Sequence, residues 1–290
     1  MKLSQIALIV VLSFAVAFAT ARHVTASKDA VVTPVKETRL EQVKRTGVLR
    51  CGYYISPPYL MKDPNTGKMS GVMADLLGEM GRQLNLKIDW VAEIGTGNMI
   101  SDLNMNRYDA MCSIAGEMPG RAREGDFVGP ITYLPVYLFV RKDDSRFDNN
   151  YARANNPDVT MATMDGEFSA IGASENFPAA HTAAVPQLSS VTDLYVMVAT
   201  KKADAVVEDQ GSFAEYDASN PGVLRRAEGA PVRVLDIGMM IPANEPAFKA
   251  MLNTTLGYLR DSGFVDKTLD KYETKIKSLR VAKPYAQQQP

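Results

Sequence analysis

Apolar positions fall in short blocks along the chain, separated by turn-forming residues and by segments of helical spacing. Gly47–Gly52, Lys87–Val91, Ala110–Ala115, Val159–Met164 and Ala205–Val207 are brief, largely apolar runs bounded by turn signals, which predicts strands. Ala110–Ala115 is apolar enough for a parallel strand covered on both faces. Thr38–Thr46 predicts a helix, and Val72, Leu76, Met80 and Leu84 recur every fourth position as the apolar stripe of another. Gly95-Thr-Gly-Asn98 opens a helix ending near Arg107, and others follow from about Glu167 and from Ser190 to Lys201. Near the C-terminus Asn244 is placed to cap a helix, with Pro246 in its first turn and Gly263 at its end. Phe248, Met251, Leu252, Leu256 and Leu259 form that helix's buried stripe.

Strands that alternate with helices imply an α/β architecture, and two successive groups joined by extended connectors imply two lobes. The connectors are Ile131–Val140 and Ile237–Asn244, so lobe 1 is expected to comprise residues 47–131 and 237–278, and lobe 2 residues 135–233. The tail, 279–290, is expected to be disordered. At the other end, Lys2, the apolar run Ile6–Ala19 and the small residues after it read as a signal peptide over 1–26. The run is too short for a membrane span, and no Cys follows it to carry a lipid.

Composition narrows the partners. With 46% hydrophobic and 22% charged residues the chain is ordinary globular material, and a net charge of −1 argues against a nucleic-acid surface. Cys51 and Cys112 could pair in an oxidising compartment, but cysteines on neighbouring parallel strands do not often meet disulfide geometry, so buried free thiols are expected.

The C-terminal end of the Ala110–Ala115 strand should open onto a crevice, where ligands bind in open α/β sheets. Arg121 follows it in a Pro-Gly-Arg corner, with a planar fork suited to a carboxylate or phosphate; the plainer reading is a solvated charge or a partner for Asp126. Asp209 ends a second strand, where it can meet a ligand or cap the helix that starts at Gln210. Gly95-x-Gly97 lacks the third glycine of a dinucleotide fingerprint, Ile100 standing in its place. His23 and His181 lie in the leader and a loop, and no Ser/His/Asp or Cys/His set assembles, so no catalytic residue, cofactor or metal is expected.

Asp109-Ala-x5-Gly-x2-Pro-x-Arg-Ala-x3-Asp-Phe-x2-Pro130 resembles the family-3 solute-binding proteins of polar amino-acid ABC transporters. Pro119, Arg121, Asp126, Phe127 and Pro130 match the family's loop, with Gly120 and Val128 where Glu and Ser are common. A second likeness lies in Val48–Tyr59, a strand, Gly, a short turn and an aromatic next to Pro-Pro. The resemblance spans roughly Gly47 to Tyr272. It implies a two-lobed periplasmic-binding-protein-like fold, each lobe a mostly parallel sheet flanked by helices, with two hinge crossings. It also implies that Arg121 grips a ligand carboxylate while Asp209 receives its ammonium. The implied ligand set is Tyr53, Tyr54, Tyr59, Thr96, Ser113, Gly116, Arg121, Glu167, Phe168 and Asp209. Several of these depart from the family pattern: Tyr53 and Tyr54 replace an acid, Glu167 replaces a Thr, Gly116 stands where Ser or Thr is frequent, and Thr96 stands about where some members have an aromatic. The implied protein is a periplasmic monomer that binds a small zwitterionic or carboxylated solute and hands it to an inner-membrane ABC permease. The alternative is a cyclohexadienyl (prephenate/arogenate) dehydratase-like enzyme on the same fold, using Glu117, Glu167 or Glu208 as an acid, although its Asn-Pro-Gly-Gly-Thr-like turn is missing.

Overall fold

A computed structural model describes residues 37–95, 99–187 and 189–272. The expected signal peptide, the expected C-terminal tail and Thr96 lie outside the described residues. By internal contacts the chain divides after Thr38, and from Arg39 onward it is one compact unit. The elements of that unit in its first part are α1 (Arg39–Thr46), β1 (Val48–Tyr53), β2 (Met61–Lys62), β3 (Met69–Ser70), α2 (Val72–Leu84), β4 (Lys87–Glu93), α3 (Met99–Asn104), β5 (Ala110–Gly116) and α4 (Pro119–Ala122). The long strand β6 (Gly125–Arg141) leads into β7 (Thr160–Met164), α5 (Phe168–Asn176), β8 (His181–Val185), α6 (Val191–Ala199), β9 (Ala205–Asp209), α7 (Gln210–Ser219) and β10 (Leu224–Arg226). The chain then returns through β11 (Arg233–Pro242) to α8 (Pro246–Asp261) and α9 (Phe264–Tyr272).

The main sheet runs β4-β1-β5-β11-β6-β9-β7-β8, with β10 paired to β6. β4, β1 and β5 are mutually parallel, as are β8, β7 and β9. Between these groups β11 and β6 run antiparallel to one another over most of β11's length. This is the two-lobed α/β architecture with two crossings, the crossings being the long strands β6 and β11.

The helical stripe on α2 is buried over its first three members: Val72, Leu76 and Met80 are at most 2% exposed, with Met73 and Leu77 beside them, while Leu84 at the helix end is partly buried. On α8, Phe248, Leu252, Leu256 and Leu259 are buried and Met251 is partly so. α8 and α9 pack on α2, so the C-terminal helices belong with the first strand group. The cap of α8 differs from expectation. Asn244 adopts a left-handed φ of 63°, and Glu245 is the N-cap residue, without a side-chain capping bond. Its carboxylate instead accepts the backbone N–H of Arg39, which competes with capping its own helix.

The cysteines correct the free-thiol expectation. Cys51 and Cys112 form a disulfide between β1 and β5, with their Cα atoms 5.3 Å apart. Register explains it: Cys51 pairs with Ala110, and Cys112, two residues on, shares Ala110's face of the pleat. At this register the Cα separation of 5.3 Å lies within the range a disulfide spans.

Candidate functional site

The carboxyl ends of β1, β5, β7 and β9 converge on one cavity of about 480 Å³, within the usual range for small-molecule sites. Its floor is apolar, from Leu134 on β6 and Leu235 and Ile237 on β11. One wall carries Tyr54, Ile55, Ile114, Gly116 and Arg121, and the facing wall Glu167, Phe168, Glu208, Asp209 and Ser212. The two parallel strand groups thus aim their C-terminal ends at the same space.

Arg121 sits on the short helix α4, where Pro119 at the first position pre-sets the backbone. Across the cavity its Nη2 donates to Glu167 Oε2 at 2.8 Å, with side chains only 12% and 13% exposed. Glu167 is the N-cap residue of α5 but makes no capping bond with its side chain. Its other oxygen, Oε1, is buried with no hydrogen-bond partner. Gly116 leaves room here, since a Cβ added to it would lie 3.9 Å from Arg121 Nη1.

Asp209 does what a strand-end acid before a helix does: Oδ1 accepts from Gly211 N at 2.7 Å and Ser212 N at 3.0 Å, capping α7. Asp209 lines the cavity as well. Beside it Glu208 is 2% exposed. Burial first, and then the neighbouring Asp209 charge, push its carboxyl well above the ordinary value of 4.5, with a smaller push from Glu167 and opposing hydrogen bonds from the Asp209 backbone and Ser212. Because the folded state then binds a proton that the unfolded chain releases above about pH 4.5, the contribution of Glu208 falls as pH rises through that window. The slope is up to about 1.4 kcal/mol per pH unit. Glu208→Gln is expected to remove that slope, so that the variant gains on the wild type as pH increases from 5 to 8; urea titrations across that range measure it.

The expected residues are not all brought together. Tyr54, Gly116, Arg121, Glu167, Phe168 and Asp209 line the cavity, whereas Tyr53, Tyr59 and Ser113 do not. Adjacent residues leaving a strand point to opposite faces, so only one of Tyr53 and Tyr54 can meet the cavity. Tyr53 stacks edge-on against Trp90, and Lys62 lies over its ring. Its hydroxyl is held by Lys62 and Glu93. Tyr54's hydroxyl donates to the Ile114 carbonyl at 2.5 Å. Burial raises the pKa of that hydroxyl, Arg121 pulling it down and Glu167 and Asp209 pushing it up. Ser113 clips β1 to β5, its hydroxyl accepting Tyr54 N and donating to Tyr54 O. Tyr59 is buried, its carbonyl accepting Met73 N at the start of α2 and its own hydroxyl unpartnered. Burial, then Asp209 and Tyr54, raise its pKa. Missed from sequence were Ser189, Ser190 and Thr192 on the cavity rim, at the start of α6. A signal existed: Ser190 and Asp193 form a capping box, which marks that helix start.

Residues 49–275 match the family described as bacterial extracellular solute-binding proteins, family 3. The chain belongs to that family. Among curated solute-binding relatives, the L-cystine-binding protein TcyA of Bacillus subtilis (strain 168) is 25% identical over 178 residues. That alignment covers 60% of this chain and 62% of TcyA, so the chain spans less than two thirds of that relative's length. Solved structures of the same fold include an ancestral amino acid-binding protein, AncCDT-1, described as a precursor of cyclohexadienyl dehydratase. It aligns with a TM-score of 0.67 at 24% identity, over 82% of this chain and all of its own. The cysteine-binding protein of Campylobacter jejuni also aligns with a TM-score of 0.67, at 18% identity over 85% of this chain and all of its own. These likenesses show the fold shared by family-3 solute-binding proteins.

Proposed function

We propose that the protein captures a small zwitterionic solute of the amino-acid type between its two strand groups and delivers it to an ABC permease of the inner membrane. The observation that carries this reading is one cavity lined by a guanidinium from the first group and by acids from the second. A ligand bearing a carboxylate and an ammonium satisfies both walls only when they are close together, so its differential contacts favour the closed arrangement. The two groups act as lobes, of residues 47–131 with 237–278 and of 135–233. Family membership supports a location outside the cytoplasm, and the apolar N-terminal run supports export to the periplasm, where the protein works as a monomer.

Arg121 receives the carboxylate in this reading, and Asp209 the ammonium, with the Tyr54 ring alongside for cation–π contact. Glu208 is its natural second acid. An ammonium brought beside it favours its carboxylate form. The function test is a thermal-shift screen of amino acids, opines, organic acids and amines. A ligand at a hundred times its Kd should stabilise the fold by ~2.7 kcal/mol. Asp209→Asn is the informative variant there, because the amide still caps α7 while the charge is lost. It should weaken amine-bearing ligands and leave the unliganded melting temperature within a degree or two; loss of folding together with binding would mean that Asp209 only caps.

The dehydratase reading is not favoured, since the family and the curated relative are solute-binding proteins. Incubation with prephenate or arogenate at neutral pH separates the two, because phenylpyruvate or phenylalanine forms faster than in a protein-free control only with the enzyme.

A further inference from the structure

Arg121 is already engaged. Its partner, Glu167, comes from the opposite wall, 46 positions away in sequence, and pairs with it at 2.8 Å. The pairing is incomplete on both sides. Arg121 uses Nη2 alone, its one side-chain hydrogen bond among the described residues, and Glu167 uses Oε2 alone while Oε1 is buried without a partner. A guanidinium fork is matched by both oxygens of one carboxylate, and a carboxylate tethered to the start of α5 presents only one. A small molecule is under no such tether. The space beside Gly116, next to Arg121 Nη1, is where its second oxygen would go.

We infer that Glu167 is a specificity-determining residue that occupies the ligand's carboxylate position on Arg121 in the empty site and must be displaced for a ligand to bind. This rests on the reading that the cavity takes a zwitterion. Displacement has a direction because a bidentate contact replaces a single one and a buried oxygen without a partner is released. It also has a consequence for selection. Once displaced, the Glu167 charge stands on the same wall as Asp209 and Glu208, so the cavity gains an uncompensated negative charge unless the incoming molecule also brings a cation. Glu167 thus opposes every carboxylate, and that opposition is offset in part only for those that carry an ammonium. Residues that merely contact a ligand lower its affinity when removed; a displaced rival raises it.

The test uses isothermal titration of the full mature chain with each of the twenty proteinogenic L-amino acids, and with propionate as a carboxylate lacking an ammonium. Wild type, Glu167→Gln and Glu167→Thr are compared, with thermal melts to confirm that both variants fold. The amino acid bound most tightly by the wild type is expected to bind about tenfold or more tightly to both variants, and propionate, excluded by the wild type, to give saturable heat with them. Unchanged or weaker binding in the folded variants would overturn the proposal and would make Glu167 an ordinary ligand contact, with the solute-binding reading intact. If the wild type itself gave no saturable heat with any of the twenty, the zwitterion reading and this inference would fall together.

Discussion

Arg121→Ala is expected to abolish the thermal shift given by any carboxylated ligand while the unliganded protein still folds. The guanidinium is the one positive charge lining the cavity among the described residues, so nothing nearby can replace it on a carboxylate. Truncating one partner of a buried charge-assisted contact costs on the order of 2–5 kcal/mol, a fall in affinity of about 30-fold to several thousand-fold. The apo fold tolerates the change because Arg121 and Glu167 both keep a window to solvent, being 12% and 13% exposed, through which Glu167 can be rehydrated. Calorimetric affinities of wild type and variant for the same amino acid provide the measurement, with the apo melt as control. Binding that survived unchanged would move the site away from this loop.

The second large effect is structural. Replacing Cys51 and Cys112 together by Ala is expected to cost about 2–4 kcal/mol, because the bridge closes a loop spanning a sequence separation of 61 in the unfolded chain. For a chain of this size that is a drop in Tm on the order of 5–15 °C. Both residues are fully buried. A reductant therefore reaches the bridge only after the sheet opens, so dithiothreitol should leave the native protein's bridge intact at temperatures well below the transition and lower the apparent Tm in a scan. Alkylation of newly freed thiols, followed against temperature, checks it; rapid labelling of native protein would contradict the buried geometry.

Much of this architecture could be read from the chain, for identifiable reasons. Ala110–Ala115 is buried on both faces because β5 lies in the sheet interior, and such a strand carries that mark in its largely apolar residues. Arg121 could be placed at a crevice for a related reason, since it follows the carboxyl end of that strand directly. What stayed hidden depends on how separate segments meet. Tyr53 and Tyr54 look interchangeable in sequence, but the pleat sends only Tyr54 to the cavity. The Arg121–Glu167 pair and the Cys51–Cys112 bridge each join residues tens of positions apart. Neither could be inferred without the register of β1 on β5 and the approach of the two walls. The dual position of Asp209, capping α7 while lining the cavity, was open in the sequence because both uses need the same acid at the same strand end.

The long strand β6 has one more implication. Its 17 residues make a continuous ribbon of roughly 55 Å, laddered to β11 along one edge and to β9 along part of the other. Translation of one strand group past the other would rupture those ladders together, whereas flexing the paired ribbons leaves most bonds intact. The cheap place to flex is where the ladder is already irregular, between Ile237 and Met239 opposite Thr132 and Val128. A molecule articulated in this way has essentially one soft coordinate, an angle. Under the proposed function, a permease docking across both tips would read that angle, and with it how far a given solute lets the two groups close.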